Sequence, residues 1–107
     1  MYWPSLVLRV VMPAEISKRA EADLERLLRR SVAEFGQDHA ERYYQSILGA
    51  FEWLAGYPLA ARERPEYRGN VRLHREGAHI IVYRPMGDQK VLIVRVLHGR
   101  QDIRRYL

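Results

Sequence analysis

The chain has 107 residues, enough for one domain with a single hydrophobic core and too few for a second. With 48% apolar and 29% charged residues it reads as globular rather than disordered, and the absence of cysteine removes disulfide frameworks, thiolate nucleophiles and thiolate metal sites and suits a reducing cytoplasm. The net charge of +5 is unevenly placed: residues 1–60 carry 7 Lys and Arg against 8 acidic residues, whereas residues 61–107 carry 11 against 5. The C-terminal half is thus the one suited to an acidic partner, a protein segment or a nucleic-acid backbone, with surplus solvated arginine as the plain alternative.

The apolar run from Leu6 to Met12 is broken by Arg9. It is far shorter than the ~20 residues of a membrane helix, and it lacks the basic flank and cleavage site of a signal peptide. A short strand is expected near Pro13 to Ile16. Lys18 to Phe35 reads as a helix, because Ala20, Leu24, Leu27, Leu28, Val32 and Phe35 recur at three- and four-residue steps, and Gly36 is a fitting stop. Asp38 and Glu41 resemble a capping box for a second helix, whose stripe of Ala40, Tyr43, Tyr44, Ile47, Leu48, Phe51, Leu54 and Ala55 runs to Gly56 and Pro58. Gly36 and Gln37 are then the only link in an antiparallel helical hairpin whose apolar faces need a sheet to cover them.

Leu59 to Asn70, with Pro65, Gly69 and several charges, reads as a connector that includes a short irregular strand. Three strands are expected after it: Val71 to Arg75, Ala78 to Arg84 and Lys90 to Leu97, turning at Gly77 and at Pro85 to Gln89. Short connections make them antiparallel neighbours. Asp102 to Leu107 reads as a short terminal helix or a tail. If Glu76 and Gly77 form a two-residue turn, His74 lies opposite His79, Leu73 opposite Ile80, Arg72 opposite Ile81 and Val71 opposite Val82. The core face then collects Val71, Leu73, Ile80, Val82, Leu92, Val94 and Val96. The opposite face carries Arg72, His74, His79, Tyr83 and Arg95 with Ile81 and Ile93. A one-residue slip reverses this for any strand.

Arg72, His79, Tyr83 and Arg95 hold the parts of a metal-free ribonuclease, namely a proton-transfer group and guanidinium groups for a charged phosphoryl transition state. The plainer and preferred reading is a cross-strand pair of His74 and His79, Tyr83 packed over it and solvated arginines. Four histidines without helical ligand spacing or a nearby carboxylate do not make a zinc site, no phosphate-cradling glycine loop occurs, and no serine sits in an elbow context. No metal or other cofactor is expected. Most aromatic residues of the second helix follow its apolar stripe and belong to the core; Trp53 does not.

The segments Ala20 to Leu27 (AEADLERL), Leu54 to Pro58 (LAGYP) and Arg95 to Asp102 (RVLHGRQD) resemble, in order and spacing, the ParE/RelE superfamily of type II toxin-antitoxin toxins, and its ParE branch most closely. The likeness begins near Pro13. Residues 1–11 therefore read as an N-terminal extension, with Met12 as the expected native start or these residues dispensable, ahead of a single domain over residues 12–107; a longer edge strand is the alternative. The resemblance implies an α+β fold of order β-α-α-β-β-β, a helical hairpin on a small, mainly antiparallel sheet. It implies a growth-inhibiting cytoplasmic toxin that binds and poisons DNA gyrase, with no catalytic residues and no membrane. A cognate ParD-like antitoxin would neutralise it and link it indirectly to DNA. Target recognition then falls to His98, Arg100 and Arg104, and the antitoxin contact to Arg62, Arg64, Arg68 and Arg72. The alternative is a RelE-type, ribosome-dependent endoribonuclease acting on mRNA through Arg72, His79, Tyr83, Arg95 or Tyr106.

Overall fold

Ser17 opens the first helix: its hydroxyl accepts the Ala20 N–H at 3.0 Å and donates to the Val94 carbonyl at 2.8 Å, so one side chain caps the helix and ties it to a strand. The computed structural model describes residues 14–107, and the expectations for residues 1–11 and Met12 lie outside them. The elements are β1 (Ala14–Ile16), α1 (Lys18–Phe35), α2 (Gln37–Gly56), β2 (Arg72–Glu76), β3 (His79–Gly87), β4 (Lys90–His98) and a 3-10 turn, η1 (Ile103–Tyr106). The order is the expected β-α-α-β-β-β of an α+β domain. Among the described residues no helix is long and apolar enough to cross a membrane.

Gly36 alone reverses the chain between the helices, at φ 87°, a conformation that glycine adopts without steric cost. The expected capping box at Asp38 and Glu41 is not formed. Because the reversal is complete in one residue, α2 already begins at Gln37, Gly36 is its cap, and Glu41 takes a hydrogen bond from Gln37 Nε2 at 3.3 Å. Asp38 lies in the first turn, where its charge complements the helix dipole.

The sheet has the order β1-β4-β3-β2, with β1 parallel to β4 and the remaining pairs antiparallel. The connector adds a single antiparallel bridge between Glu63 and Arg72, so the irregular strand expected there is one residue pair. The β2–β3 turn is Gly77-Ala78, not Glu76-Gly77. His79 therefore faces Glu76, and His74 faces Ile81, a displacement of two residues from the expected register. An even displacement keeps the same residues on the same side of the sheet.

The side chosen by the helices is the reverse of the one expected. Ile81, Tyr83, Val91, Ile93 and Val96 pack against Leu24, Leu27, Tyr44, Ile47, Phe51 and Leu54 of the hairpin. Val71, Val82 and Leu97 instead form a smaller cluster on the outer side with Tyr67, Leu73, Ile80, Val94, Ile103, Tyr106 and Leu107. The sheet is buried on both faces, which is why its strands read as near-continuous apolar runs with no clear inner side. Val96 moves to the helix side because β4 carries a bulge: Val82 faces Arg95, Tyr83 faces Ile93, and Val94 has no partner across the ladder. Phe51, fully buried between helix and sheet, is the single side chain whose loss would damage the core most plainly, at about 3–5 kcal/mol for Phe51→Ala.

Candidate functional site

The C-terminal end of β4 is a rigid, cationic corner. The His98 N–H donates to Gln101 Oε1 at 2.7 Å, and His98 Nδ1 accepts the Arg100 N–H at 3.1 Å. The Gly99 N–H donates to the Ala78 carbonyl at 2.8 Å, and a Cβ at Gly99 would lie 3.0 Å from Arg75 Nη2 and 3.2 Å from that carbonyl, a tight fit in which those neighbours would have to give by a few tenths of an ångström. Asp102 then caps η1 through the Arg104 N–H at 3.2 Å. Arg100 and Arg104 are exposed and His98 is half-buried, with the Arg104 guanidinium 5.9 Å from the Tyr67 ring centre. The three residues expected to recognise a target thus stand on a backbone held by its own hydrogen bonds.

The five residues of the nuclease alternative do not converge. Arg72 and Tyr83 face each other across the β2–β3 ladder, and both hold Ala61 of the connector: Arg72 Nη1 donates to its carbonyl and Tyr83 Oη accepts its N–H at 3.4 Å. Burial raises the Tyr83 pKa above its ordinary value, and Arg72 Nε is buried with no partner. His79 lies at the other end of β3. It is paired not with His74 but with the Tyr43 hydroxyl, 2.7 Å from Nδ1, and its ring meets His98 edge-on at 5.3 Å. Burial first, then the nearby charges of His98 and Arg30, lowers its pKa to about 4, so the ring is neutral at physiological pH. His74 instead lies 3.5 Å from Glu76.

Arg95 and Tyr106 form the remaining pair, together with a residue that the sequence reading missed. The Arg95 guanidinium donates to both oxygens of Asp23, from Nε and Nη2 at 2.8 Å each, and from Nη1 to the Tyr106 carbonyl at 3.0 Å. It also lies 5.6 Å from the Tyr106 ring centre. The Asp23 and Arg95 side chains are only 4% and 10% exposed. Asp23 accepts the Val96 N–H at 2.9 Å as well, and Arg26 Nη2 at 2.7 Å from the solvent side, so its carboxylate is surrounded by donors. That carboxylate in turn raises the Arg95 pKa. The signal was present in the sequence: Asp23 falls on the stripe of Ala20, Leu24 and Leu27, and an acid on the apolar face of a helix requires a buried partner.

Of the four arginines expected to meet an antitoxin, Arg62 and Arg68 are exposed on the connector. Arg64 is partly covered, pairing with Glu66 at 2.8 Å over the Tyr67 ring, and Arg72 is bound to Ala61. A groove of about 350 Å³ opens between α2 and β2, lined by Ser46, Gly49, Ala50, Trp53, His74 and Glu76. Trp53, Tyr57 and Leu59 stand at its end, 47%, 61% and 70% exposed, and the Trp53 ring lies within 6 Å of both Tyr57 and His74. Together they expose an apolar surface where α2 ends and the connector begins.

A family profile described as "ParE toxin of type II toxin-antitoxin system, parDE" matches residues 14–103. Toxin ParE1 of Mycobacterium tuberculosis is 34% identical over 92 residues, which is 86% of this chain and 94% of that protein. Toxin ParE1 of Caulobacter vibrioides is 30% identical over 95 residues, 89% of this chain and 97% of that one. A solved chain described as the chromosomal ParDE TA system from P. aeruginosa shares the fold, with a TM-score of 0.66 at 22% identity over 81% of this chain and 95% of its own. The match spans every strand and both helices, from the edge strand to the first residue of η1, and the chain belongs to the ParE family of type II toxin-antitoxin toxins.

Proposed function

We propose that the protein arrests growth in the cytoplasm by binding DNA gyrase and holding it on cleaved DNA, and that a ParD-like antitoxin neutralises it and brings the pair to DNA. The family match over residues 14–103 carries this reading. The site geometry supports recognition over chemistry: Arg72, Tyr83 and Arg95 are committed to structural bonds, while Arg100 and Arg104 are exposed at the corner beyond β4. His98, Arg100 and Arg104 are the target contact. The antitoxin contact comprises Arg62 and Arg68 with the α2–β2 groove, Arg64 and Arg72 supporting the connector from which they project; an acidic segment with apolar anchors fits that surface.

Induced expression followed by parallel measurement of plasmid supercoiling and message integrity tests the target. The expected result is altered supercoiling and cleaved DNA complexes with intact messages, reproduced by purified toxin with purified gyrase. Ribosome-dependent message cleavage with supercoiling unchanged, abolished by His79→Gln or Tyr83→Phe, overturns the gyrase reading in favour of an endoribonuclease.

A further inference from the structure

Arg95 is the point at which three layers of the molecule meet. Beyond Ile93 the outer edge of β4 is no longer covered by β1, whose pairing ends at Ile16 opposite Ile93. The bulge at Val94 then places Arg95 beside Val82 on the outer side, and its guanidinium reaches α1 at Asp23 and the C-terminal segment at Tyr106. Asp23 fixes both ends of this arrangement, gripping the guanidinium with two oxygens and accepting the buried Val96 N–H of β4. Ile103, Tyr106 and Leu107 are only partly buried. The bond from Arg95 Nη1 to the Tyr106 carbonyl ties η1 to the sheet. A buried ion pair is a weak source of stability compared with apolar side chains of the same volume, but it fixes direction, because the planar guanidinium must satisfy both partners at once.

We infer that Asp23 is a positioning residue for toxicity: through Arg95 it clamps the C-terminal segment over the outer face of the sheet, and so sets the orientation in which Arg104 and its neighbours meet the target. This rests on the reading of the C-terminal corner as the target contact, and it adds a residue on α1 that touches neither target nor antitoxin. The α2–β2 groove lies at the β2 edge, the opposite edge of the sheet from β1, whereas Arg64 shares the Tyr67 ring with Arg104, so antitoxin affinity has to be read separately from growth arrest on every variant.

The test uses the double substitution Asp23→Leu with Arg95→Met, which removes both charges together so that neither is left buried alone. Three quantities are read: antitoxin affinity, as a measure of folding; the rate of trypsin cleavage after Arg104 and Arg105, as a measure of the clamp; and the dose needed for growth arrest. The expected result is antitoxin affinity within about threefold of wild type, cleavage faster by roughly tenfold, and a required dose higher by roughly tenfold, the effect of losing one hydrogen bond from a charged donor. If the double variant fails to bind antitoxin, Arg95→Lys makes the same test, since it keeps a charge beside Asp23 and loses the fork that also reaches Tyr106. In a variant that binds antitoxin, an unchanged dose overturns the inference, whether or not cleavage accelerates. A raised dose with cleavage unchanged overturns it too, because the effect then does not pass through the segment. Growth arrest is blind to the target: wild type that arrests growth without affecting gyrase defeats the gyrase proposal and leaves the clamp to be decided by dose and cleavage. Wild type that arrests nothing overturns both.

Discussion

Tyr43 reaches from α2 into the β2–β3 turn, and three residues there are shaped around its hydroxyl. It accepts the Ala78 N–H at 3.1 Å and lies 3.2 Å from the Glu76 carbonyl and 2.7 Å from His79 Nδ1, while burial raises its pKa. Gly77 has φ 57°, and a Cβ there would sit 2.7 Å from the Tyr43 ring, so Gly77→Ala meets both backbone strain and a collision. It is expected to cost about 1–3 kcal/mol in urea unfolding, well beyond an exposed turn substitution. His79 gives the turn a pH dependence. Its folded pKa is about 4 and its ordinary value 6.5, so the unfolded chain takes up the proton first. The stabilisation is complete above pH 6.5 and is lost as the pH falls toward 4. Allowing for the water that screens a half-exposed ring, it amounts to about 1–2 kcal/mol. Unfolding wild type and His79→Gln between pH 7 and pH 4.5 should show wild type losing that much more; parallel pH profiles would remove His79 as the cause.

At the scale of elements, helices and strands differed in how far they could be read. Lys18–Phe35 was legible because its period, its Ser17 start and its Gly36 stop are all local. The strands were legible as strands, yet their inner side was not: Ile81 and Ile93 on one face match Val82 and Leu97 on the other, and alternation cannot choose between two buried faces. The bulge at Val94 had no local mark either, since a run of Val91, Leu92, Ile93 and Val94 offers no glycine to flag it. For the same reason the Arg95 side chain read as solvated although it is buried against Asp23 of α1; of the candidate site the exposed arginines could be proposed from the sequence, whereas the buried pair was marked only by an acid on the apolar stripe of α1. Ser17 shows how one side chain joins these elements. Ser17→Ala removes the α1 cap and the bond to the Val94 carbonyl together, and is expected to lower stability by about 1–2 kcal/mol. Ser17→Thr, which keeps the hydroxyl, should recover most of that loss in the same urea titration.

Across the whole molecule the charge asymmetry of the sequence becomes two groups of arginines, one on the connector and one on the C-terminal corner, that adjoin at the Tyr67 ring. Arg62 and Arg68 are exposed on the connector, while Arg100 and Arg104 are exposed at the C-terminal corner. Exposed charges of this kind govern the rate of encounter more than the strength of the final contact, and their reach is the Debye length, about 10 Å at 0.1 M salt and about 3 Å at 1 M. The proposal that an acidic antitoxin segment meets the first group therefore makes a kinetic prediction. Arg62→Glu with Arg68→Glu should slow antitoxin association by roughly tenfold at low ionic strength and by far less at high salt, leaving dissociation nearly unchanged. Arg100→Glu with Arg104→Glu changes the net charge of the chain equally. If location matters, it should slow antitoxin association much less while it weakens growth arrest. Stopped-flow association measured across salt concentrations separates the two: equal slowing by both pairs would show that antitoxin capture responds to the total charge, and would leave the connector without a special part in it.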